Sequence, residues 1–116
     1  MTLTVVIVDD EPLARERVRT MLTGEDDVRV VAEAADGHEA VEAVLEHRPD
    51  LVFLDVQMPG LDGFGVLASL EEDERPTVVF VTAHDEYALR AFDVHAVDYL
   101  LKPFDAERFG RALARG

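Results

Sequence analysis

The sequence predicts an α/β domain, a (βα)5 doubly wound five-stranded parallel sheet in the order 2-1-3-4-5. Two observations predict it. Five short apolar runs recur along the chain, and most are too uniformly apolar for strands with one wet face; they fit strands buried on both faces of a parallel sheet. Each run is followed by a segment whose apolar residues fall at helical spacing, so strand and helix alternate five times.

Thr4–Val8 (TVVIV) is the first strand. Glu11-Pro12 opens a helix with Ala14, Val18, Met21 and Leu22 on one face and Arg15, Arg17 and Arg19 outside it. Gly24 marks its end. The second strand is Val28–Ala32 (VRVVA), and Asp36-Gly37-His38-Glu39 makes a capping-box-like start for a helix whose face is Ala40, Val41, Val44 and Leu45. Pro49 stops that helix. Leu51–Leu54 (LVFL) is the third strand, followed by a stripe of Phe64, Leu67 and Leu70. Thr77–Val81 (TVVFV) is the fourth, followed by Ala88, Ala91 and Phe92. After the fifth, Val97–Leu101 (VDYLL), Asp105 caps a helix whose inner face is Phe109, Ala112 and Leu113. No repeat, low-complexity tract or linker interrupts the pattern, so residues 1–116 read as one domain.

Composition narrows the function classes. Folded-surface scaling for a chain this size gives roughly 6,300 Å² exposed out of about 18,700 Å², enough burial for one sizeable core. The formal net charge of −14 argues against autonomous nucleic-acid binding, which needs a basic face, and against docking on anionic membrane. The absence of cysteine removes disulfides, thiolate zinc sites and cysteine nucleophiles. MTLTVVIVDDEP has no basic leading region, and no apolar stretch approaches the roughly 20 residues of a membrane helix. The expected compartment is the cytoplasm.

Right-handed crossovers put helices on both faces of such a sheet, and ligands belong at the carboxyl ends of the strands. Asp9 and Asp10 follow the first strand, Asp55 the third, Thr82 the fourth, and Lys102-Pro103 the fifth. In the order 2-1-3-4-5 these groups share one cleft. Taken alone, Asp9 and Asp10 read equally well as a loop and helix cap. Asp55 in the neighbouring position changes that reading, because two carboxylates about 4 Å apart repel by about 4 kcal/mol at an effective dielectric of 20. Three together call for a cation, and a set of oxygen donors suits Mg²⁺, with Mn²⁺ also fitting. Lys102 is the only lysine beside ten arginines, which suggests a site that needs a compact ammonium rather than a guanidinium. Pro103 either ends strand pairing or turns the chain through a cis peptide. Thr82 alone is a weak signal.

Other templates fail. The chain has no GxxxxGK[ST], GxSxG or HExxH, and the glycines at 60, 63 and 65 are in the wrong order for a dinucleotide fingerprint. The histidines at 38, 47, 84 and 95 have no mutual ligand spacing, although His84 borders the strand end at Thr82.

VVIVDDEP, LVFLDVQMPGLDG, FVTA and VDYLLKPF, in that order and on those strands, resemble the receiver domain of two-component response regulators, with its flavodoxin-like fold. DEPLAR and VTAHDEYALRAFDVHAVDYLLKPFD further resemble receivers carried by regulators with a LytTR-type DNA-binding domain, as in the AlgR type. The resemblance implies that Asp55 takes a phosphoryl group from a sensor histidine kinase. It implies direct Mg²⁺ binding by Asp10, Asp55 and the backbone carbonyl of Gln57, with Asp9 acting mainly through a coordinated water. It further implies that Lys102 contacts the phosphoryl group, that Thr82 is drawn towards it, and that Tyr99 rotates inward behind Thr82. The face of the fourth helix, fifth strand and fifth helix then repacks, with homodimerisation as the expected readout. The DNA-binding output domain lies outside these residues, so the chain is either part of a longer regulator or a receiver that works alone. The resemblance also implies that Gln57 and His84 occupy positions that tune the lifetime of the phosphoryl group.

Two rivals remain. A phosphorylation-independent dimerisation module would be marked by loss of a pocket acid or the lysine, and none is lost. A small Mg²⁺-dependent phosphatase would carry a DxD nucleophile pair, whereas Asp55 is followed by Val56-Gln57. The expected role is a signalling switch that promotes only its own phosphorylation and dephosphorylation. Removing Lys102 is expected to leave the fold and the metal site largely intact.

Overall fold

In the computed structural model, which describes residues 2–116, the apolar runs become β1 (Leu3–Val8), β2 (Val28–Ala34), β3 (Leu51–Leu54), β4 (Thr77–Thr82) and β5 (Asp98–Leu101). They pair in parallel in the order β2-β1-β3-β4-β5. The intervening helices are α1 (Pro12–Leu22), α2 (Gly37–His47), α3 (Gly63–Ala68), α4 (Ala88–Asp93) and α5 (Ala106–Arg115), with a 3₁₀ turn at Glu72–Glu74.

Strand alternation divides the core into two layers. Val6, Val8, Val52, Leu54, Val78 and Phe80 point towards α2, α3 and α4, where they meet Val44, Phe64, Leu67 and Ala91. Val5, Ile7, Phe53, Val79, Val81 and Leu100 point the other way, onto Val18 and Leu22 of α1 and Phe109 and Ala112 of α5. Aromatic pairs knit each layer: Phe64 lies 5.0 Å from Phe80, and Phe53 5.1 Å from Phe109, between ring centroids. Each of these large side chains contributes about 1.5–3 kcal/mol by leaving water.

The helix starts follow from side-chain caps. Asp36 accepts from the Glu39 N–H at 2.8 Å, Asp62 from Gly65 at 2.7 Å and Asp105 from Arg108 at 2.8 Å. The Glu39 carboxylate reaches back to the Ala35 N–H rather than to Asp36, so the α2 start resembles a capping box without closing one. The α2 exit is left-handed at Arg48 (φ 46°), just before Pro49.

Three sequence expectations need correction. β2 extends to Ala34, because it pairs with β1 as far as Val8; the exposed Glu33 that breaks the apolar run sits on an edge strand and pairs with Arg19 at 2.6 Å. Leu45 lies outside the buried face of α2, which is Ala40 and Val44 with Val41 half-buried. Around α4 the inward residues are Ala91 and the flanking Tyr87 and Val94, so Ala88 is exposed and Phe92 stands 79% exposed. A helix of only six residues offers too few turns for periodicity to resolve its face.

Candidate functional site

Parallel pairing carries the ends of β1, β3, β4 and β5 to one edge, and three backbone hydrogen bonds extend the ladder into the loops there. Asp9 N–H donates to the Ala34 carbonyl (3.1 Å), Asp55 N–H to Val8 (3.0 Å) and Lys102 N–H to Thr82 (2.8 Å). The backbones of Asp9, Asp55, Thr82 and Lys102 are therefore fixed by the sheet. α1 adds two ties, from Arg15 to the Asp9 carbonyl and from Arg17 to the Phe104 carbonyl, both at 2.6 Å. Lys102-Pro103 is a cis peptide, one of the two alternatives open in the sequence.

Asp9 and Asp55 are buried, at 4% and 5% exposure, while Asp10 is exposed. One carboxylate oxygen from each of the three lies within 4.8 Å of the others. The Lys102 ammonium donates to Asp9 at 2.8 Å and stands 3.7 Å from Asp55 and 3.9 Å from Glu11. Burial first, and the Asp9 charge second, push the Asp55 carboxyl up to about 7, against the pull of Lys102 and of the Gln57 backbone N–H. Burial also works against the Lys102 charge, but the hydrogen bond to Asp9 and the surrounding carboxylates outweigh it and raise its pKa. Three acids against one close ammonium leave uncompensated negative charge on hard oxygen donors. That donor set fits Mg²⁺ or Mn²⁺ and suits no softer metal.

Thr82 is fully buried, and its hydroxyl accepts from the His84 N–H at 3.3 Å. Tyr99 is half-buried against Phe80, with centroids 6.3 Å apart, and its hydroxyl donates to the His84 carbonyl. Gln57 turns its backbone N–H to Asp55 while its exposed side-chain amide donates to the Tyr87 hydroxyl at 2.7 Å.

Two features escaped the sequence reading. Glu11 and Tyr87 join the site through loop geometry that no spacing reveals. Asp98, beside Tyr99, is held bidentately by Arg108 (2.6 and 2.8 Å) and by Arg115 (2.9 Å), and Arg108 also reaches the Tyr99 carbonyl at 3.3 Å. The Arg108 hydrogen bond holds the Asp98 carboxyl below its usual range. A lone acid inside an otherwise apolar strand was the available signal. A separate concavity of about 740 Å³ opens at the other end of the strands, lined by Thr2, Leu3, Asp27 and Asp50, and holds none of the groups above.

The loop that follows Asp55 depends on a close approach. A Cβ on Gly63 would lie 2.5 Å from the Asp55 carbonyl oxygen and 3.1 Å from Val56 Cα, both backbone atoms. Gly63→Ala is therefore expected to destabilise the domain by about 1–3 kcal/mol and to weaken Mg²⁺ binding, measured by denaturant unfolding with and without the ion. Unchanged stability would mean that this loop yields freely.

The profile of the family described as response regulator receiver domain matches residues 5–114. The transcriptional regulatory protein BtsR of Salmonella typhi is 51% identical over 111 residues, which cover 96% of this chain and 46% of that protein. The chain thus spans about half the length of the curated relatives it matches. Among solved structures, the REC domain of AraT, a response regulator from Geobacillus stearothermophilus, superposes with a TM-score of 0.89 at 39% identity, covering 99% of this chain and 92% of that one. The CheX–CheY–BeF₃–Mg²⁺ complex from Borrelia burgdorferi gives 0.86 at 28% identity, covering 96% of this chain and 86% of that one.

Proposed function

This chain belongs to the response regulator receiver domain family, and from that premise we propose that it is a phosphoryl-operated switch with Asp55 as the acceptor. The observation that carries the reading is the convergence of Asp9, Asp10 and Asp55 with the single lysine, Lys102, at one sheet edge. An Asp55 oxygen attacks the phosphorus of a phosphohistidine on a sensor histidine kinase. The P–O bond forms as the P–N bond breaks, and the imidazole keeps the electron pair. Asp10, Asp55 and the Gln57 carbonyl, with Asp9 through a coordinated water, would hold Mg²⁺ (Mn²⁺ also fits), whose charge favours phosphoryl transfer when bound. Lys102 neutralises a phosphoryl oxygen, and Thr82 follows the new charge.

Tyr99 moves with Thr82 and repacks the surface of α4, β5 and α5. Leu89 (82% exposed), Phe92 and Leu101 on α4 and β5 offer apolar area for homodimerisation there. Relatives named as transcriptional regulators support a covalently linked DNA-binding domain as the output, with no direct nucleic-acid contact by this acidic domain. Among the described residues no helix is long and apolar enough to cross a membrane, in keeping with a cytoplasmic role. The domain promotes its own phosphorylation and dephosphorylation and turns over no external substrate.

Treatment with a small acyl-phosphate donor and Mg²⁺ is expected to add one phosphoryl group to the parent, read by intact mass, and none to Asp55→Asn. An adduct formed at full yield in Asp55→Asn would overturn the assignment.

A further inference from the structure

Gln57 stands two residues beyond the acceptor, and its side chain is held. Its amide nitrogen donates to the Tyr87 hydroxyl at 2.7 Å, along a cleft lined by Gln57, Met58, Pro59, Gly60, Asp62 and Tyr87. Tyr87 is a firm post for that bond. Its ring packs 6.2 Å from Phe64 and lies edge-on to His84 at 6.1 Å, and it directly precedes α4. Tyr99 braces the same loop from beneath: its hydroxyl donates to the His84 carbonyl, and the Tyr87 backbone N–H faces its phenol oxygen. One residue therefore connects the switch tyrosine, through its backbone, with the acceptor loop, through its side chain.

A glutamine amide near a phosphoryl group can orient the attacking water. Engaged with Tyr87, the Gln57 amide is withheld from that task. We propose that Tyr87 is a positioning residue that prolongs the phosphorylated state by holding the Gln57 side chain away from the hydrolytic water. The inference rests on the reading of Asp55 as the phosphoryl acceptor. In the step it controls, a water oxygen bonds to phosphorus while the bond from phosphorus to the Asp55 oxygen breaks. The bonding pair stays with the Asp55 carboxylate, and both water protons leave on the phosphate as dihydrogen phosphate.

The experiment phosphorylates the protein with a small acyl-phosphate donor and Mg²⁺, removes the donor, and follows loss of the adduct by intact mass at constant pH and Mg²⁺. It compares the parent, Tyr87→Phe, Gln57→Ala and the double variant. Tyr87→Phe keeps the ring that packs on Phe64 and removes only the hydroxyl. It is expected to lose phosphate roughly three- to ten-fold faster than the parent, the range one hydrogen bond commands. The double variant is expected to decay at the rate of Gln57→Ala, because the tyrosine acts only through that side chain. Decay of Tyr87→Phe at or below the parent rate would overturn the proposal. So would an acceleration by Tyr87→Phe that persists in the Gln57→Ala background. A parent that takes up no phosphoryl group, or takes it up equally in Asp55→Asn, would instead remove the underlying acceptor reading and the proposal with it.

Discussion

Asp55→Asn is expected to make the metal-free domain more stable above neutral pH. The Asp55 carboxyl moves from an ordinary 3.8 up to about 7 on folding, so between those values the folded chain holds a proton that the unfolded chain has released. The associated stability is fully present below about pH 4 and is lost as pH rises through about 7. A tenfold change in proton affinity corresponds to about 1.4 kcal/mol, so the loss is at most about 4 kcal/mol. Asparagine carries no charge and avoids it. Thermal unfolding with a chelator present is expected to show the parent Tm falling between pH 5 and 8 while Asp55→Asn stays level. Asp50 and Asp98 have lowered pKa values, so their contributions disappear only as pH falls through those lower values, outside this window. Mg²⁺ is expected to stabilise the parent by mass action, by about 2.7 kcal/mol at a hundredfold excess over Kd, raising its Tm, and to act weakly on Asp55→Asn and Asp10→Asn. A parent Tm level across the window, or an Asp55→Asn variant less stable at pH 8, would contradict this account.

Lys102→Met is expected to move stability the other way. The sequence alone suggested that the fold is indifferent to this lysine, but the ammonium lies 2.8 Å from buried Asp9 and 3.7 Å from buried Asp55. Removing one partner of a buried pair leaves uncompensated charge, at a cost of about 3 kcal/mol. The loss should be largest at pH 8 without metal and shrink towards pH 5, where Asp55 is protonated. Mg²⁺ should recover much of it. The variant should still accept some phosphoryl group on Asp55 yet alter the Tyr99 environment little on doing so. Lys102→Arg should not restore switching fully, since a planar guanidinium is bulkier and prefers bidentate partners. A Lys102→Met protein within 0.5 kcal/mol of the parent at pH 8 in chelator, on the order of an ordinary surface substitution, would show that the ammonium carries no such burden.

The sheet was legible because its central strands β1, β3 and β4 are buried on both faces and therefore stand out as apolar runs, and strand order then located Asp9, Asp10, Asp55, Thr82 and Lys102 without any side-chain detail. What stayed hidden depends on contacts between loops. Nothing in the spacing of Gln57 and Tyr87 says that they touch across 30 positions. Helical stripes are ambiguous by one residue, which is why Phe92 and Leu45 were assigned inward. Arg15 and Arg17 read as solvated, yet their long stems let them reach backbone carbonyls in two site loops. The Asp98 clamp likewise needed the three-dimensional approach of α5.

The solitary lysine has a further consequence for chemical labelling. Among the 116 residues, Lys102 supplies the only ε-amine, and it sits 21% exposed with a carboxylate bonded to it. An acylating reagent needs that amine free and deprotonated, which the raised pKa and the Asp9 contact both oppose. Its rate of modification, read at Lys102 itself by peptide mass so that the α-amino group is counted apart, therefore reports how often the pocket opens, without any introduced probe.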